Sequence, residues 1–98
     1  MSLRVVFRRA AQVELENAAA WYDEQRRGLG EEFLRELGEA VEKAADSPER
    51  YPVVFESVRC TVLRRFPYAI YFRQRHDMLV VLAVFHGRRN PMIWKRRT

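Results

Sequence analysis

The sequence has a single cysteine, no long apolar run and almost no lysine. One cysteine can form neither an internal disulfide nor a cysteine-based zinc cluster, so we expect Cys60 to be a small packing residue. No apolar run approaches the ~20 residues that span a bilayer. The N-terminus carries charge on both sides of a very short apolar run, which is not the pattern of a signal peptide. These absences predict a soluble domain located in the cytoplasm.

The sequence also lacks the common signatures of cofactor and metal chemistry. It contains no glycine-rich phosphate loop, no Ser-His-Asp set and no histidine, cysteine or carboxylate spacing typical of a metal site. We therefore predict that no metal and no cofactor is required.

What is present points to one small folded domain. The chain has 98 residues, of which 48% are hydrophobic and 12% aromatic. That apolar content is sufficient to offset the entropy of ordering the chain, so disorder is not expected. There is no internal repeat and no linker. We predict a single domain over residues 1–98 with one modest core.

Charge is distributed unevenly along the chain. Of the 18 basic residues, 16 are arginines. Arginine makes forked contacts to carboxylates and phosphates, although a GC-rich genome produces the same bias without a functional cause. Residues 1–50 carry 8 basic and 11 acidic side chains, a net charge of −3, whereas residues 51–98 carry 10 and 2, a net charge of +8. The second half is therefore expected to contact an anionic partner.

Two helices are predicted in the first half. The first carries an apolar stripe with helical spacing and ends by the glycines of residues 26–30. We place Trp21 and Tyr22 in the core of the resulting hairpin. The second helix begins near Glu31 and ends before residues 46–52, where a proline pushes its predecessor out of helical geometry. Its acidic residues are expected to form a solvated face. The two apolar stripes consist of Ala11, Leu15, Ala18 and Tyr22, and of Leu34, Leu37, Val41 and Ala44.

Strand-like runs dominate the second half. A short β-rich run at residues 3–7 precedes the helices, and β-branched and aromatic residues are dense after residue 51. Residues 73–77 have the character of a hairpin turn. The run 79–85 is apolar throughout, which indicates a central strand covered on both faces. We predict an α+β fold of order β-α-α-β-β-β, with a helical hairpin packed on a twisted, mainly antiparallel sheet. The tail, the terminal segment or a partner chain must cover the second face of the last strand.

Three stretches together resemble a known family. They are "AAAWYDEQRRGLGEEFLREL", "YPVVFESVRCTVLRRFPYAIYF" and "VLAVFHGRRNPMIW". In this order they are similar to the ParE/RelE superfamily of type II toxin–antitoxin toxins, also called plasmid stabilisation proteins. The fold of that superfamily, a helical hairpin on a curved antiparallel sheet, agrees with the order deduced above.

The resemblance implies a small basic toxin that a cognate acidic antitoxin holds inactive in a hetero-oligomer. An extended antitoxin segment that wraps the helices and the sheet would also cover the last strand, by strand addition or as a helix in a groove. On the same resemblance we expect five apolar side chains to contact the antitoxin: Trp21, Tyr22, Leu34, Leu37 and Phe85.

Two target classes occur in this superfamily. RelE-like members cut messenger RNA on the ribosome, which needs an acid, a base and cations that stabilise the transition state. The candidates here are His86, Arg65, Arg89 and Tyr68, because histidine exchanges a proton near neutral pH. The lysines that RelE uses have no counterpart, since no lysine lies between residues 43 and 95. ParE-like members cut nothing and instead inhibit DNA gyrase, and "RRFPYAIYF" and "HGRRNP" are closer to that branch.

The expected contacts to a target or anion come from the basic second half. They are Arg59, Arg64, Arg65, Arg88, Arg89, Trp94 and Arg96. Two of them have a structural role as the alternative. Trp94 would anchor the tail on the sheet, and Arg59 would pair with a helix acid such as Glu36. A general nucleic-acid-binding domain is a third possibility, although no helix-turn-helix signal is present.

Overall fold

The structure, a computed structural model, describes residues 2–87, 89–90 and 92–97. Strand β1 (Arg4–Phe7) is followed by helices α1 (Arg9–Gln25) and α2 (Leu29–Asp46), then by a short 3-10 turn (Pro48–Arg50). The sheet continues with β2 (Val53–Phe55), β3 (Val58–Val62), β4 (Tyr68–Arg75) and β5 (Met78–His86), and α3 (Met92–Lys95) ends the described chain. The predicted α+β class and the hairpin-then-sheet order are confirmed. None of the described helices is long and apolar enough to cross a membrane.

The sheet has the order β1-β5-β4-β3-β2. Only β1 pairs in parallel, with β5, and the remaining pairs are antiparallel. The predicted order contained three strands after the hairpin, whereas the structure has four, because the short β2 folds back on β3 as a separate strand. The predicted turn at residues 73–77 is confirmed: His76 and Asp77 connect β4 to β5, and His76 has a φ of 57°.

The helical hairpin closes tightly because of two glycines. Gly28 has a φ of 90°, which a glycine adopts at no steric cost, and it allows only three residues to connect α1 and α2. Gly30 lies against α1, where its N–H donates to the Asp23 carboxylate at 2.7 Å. A Cβ on Gly30 would lie 2.4 Å from the carbonyl oxygen of Ala19. Only glycine therefore permits this approach of the two helices.

Apolar side chains cover the sheet on both faces. The helices pack on one face, where Phe33, Leu37 and Val41 of α2 meet the alternate residues of β4 and β5. On the opposite face Trp94 of α3 is 2% exposed and stacks on Tyr71 with ring centroids 4.2 Å apart. The tail thus buries the second face of the strand formed by the apolar run 79–85.

Two features of the predicted helical stripes need correction. Leu34 is 40% exposed, because its neighbour Phe33 takes the core position in its place. Trp21 is 55% exposed and does not belong to the hairpin core. Tyr22 is the core member of that pair, since its ring contacts Phe33 and Phe66 at centroid distances of 5.4 and 4.8 Å.

The substitution Gly30→Ala should lower the free energy of unfolding by about 1–3 kcal/mol, since the added methyl group overpacks the helix contact. Gly38→Ala is a matched control, because a Cβ at that position of α2 meets no atom within 4 Å. We expect it to stabilise the protein by about 0.5–1 kcal/mol through helix propensity. Urea unfolding followed by circular dichroism measures both, and equal effects of the two substitutions would contradict the close approach.

Candidate functional site

A cleft lies between α1 and the C-terminal end of β5. It encloses about 250 Å³ and is open to solvent on one side. Helix α1 forms one wall, and the start of β4, the end of β5 and the turn after it form the other. The lining residues are Glu14, Asn17, Ala18, Trp21, Tyr68, Val84, His86 and Arg89.

Three of the four nuclease candidates meet in this cleft. Tyr68 is the first residue of β4 and lies opposite His86, the last residue of β5, so that their rings touch edge to face with centroids 5.3 Å apart. Burial raises the pKa of Tyr68, and the positive charge of Arg89 opposes that shift only in part. Tyr68 is therefore a neutral phenol at pH 7, able to donate a hydrogen bond. Arg89 lies over the Phe85 ring at 4.2 Å.

The fourth nuclease candidate lies elsewhere. Arg65 belongs to the turn between β3 and β4, where its guanidinium group pairs with Glu32 of α2 at 2.6 Å. That ion pair lowers the pKa of Glu32, through the hydrogen bond from Arg65 first and the one from Arg26 second. The structure thus brings Tyr68, His86 and Arg89 together without Arg65.

Acidic residues of α2 hold the basic turn in place. Glu36 accepts hydrogen bonds from the backbone N–H groups of Arg64 and Arg65 at 2.6 and 3.2 Å. Two of the acids expected to form a solvated face, Glu32 and Glu36, therefore bind this turn. Arg59 does not pair with Glu36 as suggested, because its guanidinium group donates to the Tyr51 carbonyl at 2.6 Å.

Arg64, Arg65 and Arg89 lie at one end of the sheet. The turn after β3 meets the end of β5, where the N–H of Gly87 donates to the Pro67 carbonyl at 2.9 Å. Arg64, Arg65 and Arg89 are all exposed in this region, which we call the basic rim. Arg88, also expected to bind an anion, lies outside the described residues.

Burial changes the role of several other predicted contacts. The ring of Trp94 is buried in the sheet, so it anchors the tail and is not presented to a target, whereas Arg96 is exposed. The proposed antitoxin contacts Leu37 and Phe85 are 3% and 2% exposed and belong to the core, which leaves them inaccessible to a partner. Trp21 and Leu34 are accessible.

The residue that sequence reasoning missed is Glu14. Strand β5 extends five residues beyond its pairing with β1, which stops at Val81. The Glu14 carboxylate accepts the N–H of Val84 at 3.0 Å and binds the Arg97 guanidinium through both oxygens, at 3.0 and 2.8 Å. Arg97 in turn donates to the Leu82 carbonyl at 3.0 Å. These two side chains occupy the place of a neighbouring strand.

The sequence carries only one weak signal that distinguishes Glu14 from other helical acids. Its position between Ala11 and Leu15 on the first stripe was a hint, since an acid beside the buried face of a helix requires a partner. Arg89 approaches the same carboxylate at 3.5 Å, so the candidate cleft and the tail share this acid.

In the described part of the chain, no group of three or more histidine, cysteine, aspartate or glutamate residues is placed to hold an ion.

The geometry agrees with comparisons to known proteins. Residues 5–91 match the family model described as the ParE toxin of the type II toxin–antitoxin system parDE. The chain belongs to the ParE toxin family. A solved structure titled as a chromosomal ParDE toxin–antitoxin system from P. aeruginosa has the same fold, with a TM-score of 0.72. It is 19% identical, and the similarity covers 87% of this chain and 96% of that chain. No curated protein sequence matches this chain.

Within this ParE-family fold, Glu14→Ala should lower the free energy of unfolding by about 2–4 kcal/mol, because it leaves a strand N–H and a half-buried guanidinium without their acceptor. Glu16→Ala on the exposed face of α1 is the control, since Glu16 only accepts a surface hydrogen bond from Gln12. We expect that control to change stability by at most about 0.5 kcal/mol. Chemical denaturation tests both, and similar losses would show that Glu14 has no special structural role.

Proposed function

We propose that this chain is the toxin of a type II toxin–antitoxin pair, that it inhibits DNA gyrase by protein–protein contact, and that a cognate antitoxin neutralises it in the cytoplasm. Membership of the ParE toxin family over residues 5–91 carries the proposal. The gyrase target rests on the resemblance of the "RRFPYAIYF" and "HGRRNP" segments to the ParE branch.

The arrangement of the basic residues supports binding as the mode of action. Arg64 and Arg65 are held by backbone and side-chain bonds to α2, so that the turn is presented to a partner in a fixed conformation. Exposed arginines on a rigid edge suit contacts to carboxylates of a protein surface. Such preorganisation reduces the entropy lost on binding.

Among the described residues, two of the cations suited to RNA cleavage lie close to acids. Glu14 lies 3.5 Å from Arg89, and this pairing offsets the positive charge that a phosphorane would need. Arg65 is engaged by Glu32 at 2.6 Å outside the cleft. These contacts favour an inhibitor over a nuclease.

A second candidate function is ribosome-dependent cleavage of messenger RNA. The observation in its favour is the meeting of Tyr68, His86 and Arg89 in one cleft, beside the exposed ring of Trp21. A neutral phenol and a histidine in ring contact could exchange protons with a 2′-hydroxyl group, and Trp21 offers a surface on which a base could stack.

Induced expression in a bacterial host separates the two functions. Gyrase inhibition predicts filamentous cells and DNA-damage signalling while the transcripts stay intact. RNA cleavage predicts cut transcripts and an early arrest of protein synthesis. Cut transcripts with normal DNA supercoiling would reject the gyrase proposal.

The variant His86→Ala sharpens this test. A nuclease should lose activity by a factor on the order of 10²–10⁴ when its acid or base is removed, whereas a binding inhibitor should retain most of its toxicity. The control is His76→Asn, since asparagine tolerates the left-handed conformation of that turn residue. Toxicity measured as colony survival, together with transcript integrity, reports both variants.

A further inference from the structure

The cleft between α1 and the end of β5 has the composition of a binding hot spot. Trp21, Tyr68 and Arg89 line it together, and tryptophan, tyrosine and arginine are the residue types that most often dominate the energy of a protein–protein interface. Trp21 is 55% exposed and meets Tyr22 edge to face, with ring centroids 5.1 Å apart. Covering a large apolar ring that lies in solvent is favourable, so the cleft is a candidate anchor point for a partner.

Hydrogen bonds hold the walls of the cleft in place. The Tyr68 carbonyl accepts the N–H of Leu63 at 2.9 Å, and the Tyr68 N–H donates to the Phe66 carbonyl at 2.8 Å. On the side of α1, the Glu14 carboxylate accepts the N–H of Val84 in β5. A site whose frame is already ordered loses little conformational entropy when a partner binds.

The Glu14 carboxylate is almost saturated with donors. It accepts three N–H groups, one from Val84 and two from Arg97, at 3.0, 3.0 and 2.8 Å. A carboxylate has about four acceptor positions, so about one remains. Arg89 approaches Glu14 at 3.5 Å, which is longer than the roughly 2.7–2.9 Å of a charge-assisted hydrogen bond. Glu14 therefore binds Arg97 tightly and Arg89 only loosely.

The charge that this cluster presents to solvent is positive. The Arg89 side chain is 46% exposed, whereas that of Glu14 is 12% exposed. Two guanidinium groups, those of Arg89 and Arg97, share one carboxylate, which leaves one positive charge in the cluster. Glu14 is also the one acid among the described residues that line the cleft. An occupant with a single negative charge matches this balance.

A side-chain carboxylate suits the cleft better than a nucleic-acid strand. A strand carries one charge per phosphate and needs a row of unmatched cations. Here Arg65 and Arg89 each lie beside an acid, Glu32 and Glu14 respectively, and these acids repel a polyanion. The neutral phenol of Tyr68 adds a hydrogen-bond donor, and a carboxylate can only accept.

We propose that the cleft binds one acidic side chain of the gyrase surface, whose carboxylate pairs with Arg89 and whose apolar stem lies on Trp21. Arg97 is the positioning residue of this site, because it occupies Glu14 and so leaves Arg89 available. The inference rests on the gyrase target of the proposed function and locates its anchor point. Arg64 and Arg65 of the basic rim would surround this anchor and steer the encounter.

The first test removes the apolar wall of the cleft. Trp21→Ala should raise the toxin concentration that half-inhibits supercoiling by purified DNA gyrase about tenfold or more, as for a hot-spot residue. Val13→Ala is the control on the same helix, because Val13 is 45% exposed and does not line the cleft. It should stay within about twofold of the unmodified chain. Since both side chains are exposed, circular dichroism should show that both variants are folded.

The second test separates the positioning role of Arg97 from its role in stability. In Arg97→Gln the Glu14 carboxylate loses two donors and should pair closely with Arg89, which weakens gyrase inhibition about fivefold or more. E14Q/R97Q removes the competing carboxylate, so inhibition should return to within about threefold of the unmodified chain. A purely structural role predicts the opposite order, since the double variant loses more bonds than the single one. Arg75→Gln makes the same charge change at the far end of β4 and should leave inhibition unchanged.

The outcomes separate this inference from the proposed function. Full inhibition by Trp21→Ala or Arg97→Gln, or a folded E14Q/R97Q that does not recover, would overturn the inference while the gyrase target stands. Trp21→Ala decides alone if the tail variants do not fold. Absence of inhibition by the unmodified chain would overturn both.

Two further results would assign the cleft to another partner and reject an acidic side chain of gyrase. One is a Trp21→Ala variant that inhibits gyrase normally but binds the product of the adjacent reading frame more weakly in calorimetry. The other is a Trp21→Ala variant that inhibits gyrase normally but no longer cuts transcripts in cells. The first result assigns the cleft to the antitoxin and the second to RNA.

Discussion

The fold depends on how strand β5 is enclosed. It is buried on both faces from Leu79 to Phe85. Its main chain extends five residues beyond the last residue that pairs with β1. Unpaired main-chain groups beside a core are costly, so this end of the strand requires acceptors and donors from elsewhere. Glu14 and Arg97 supply them from the first helix and the last residues of the described chain. One carboxylate thereby connects helix, sheet and tail.

The same carboxylate also borders the candidate cleft. Glu14 holds α1 against β5 at Val84, and the cleft lined by Trp21 and His86 lies beside that contact. Tyr68 and Arg89 line the same cleft, so the contact of Glu14 with β5 borders the site on the side of α1.

Much of the fold was predictable because periodicity reflects burial directly. The spacing of Ala11, Leu15 and Ala18 predicts that they lie on one face of a helix, and they are buried there. The continuous apolar run of β5 predicts a strand that is buried on both faces. The misassigned residues were those with an apolar side chain at the border of a stripe. Trp21 and Leu34 lie there, and a shift of one residue decides whether Phe33 or Leu34 enters the core.

The candidate site was less predictable, because its main constraint joins residues 83 positions apart. Glu14 and Arg97 have ordinary sequence contexts, and their contact exists only once the tail has folded across the sheet. The same reason applies to Arg65 and Glu32, 33 positions apart. Acidic side chains in the first half of the sequence thus neutralise part of the positive charge of the second half inside the folded chain.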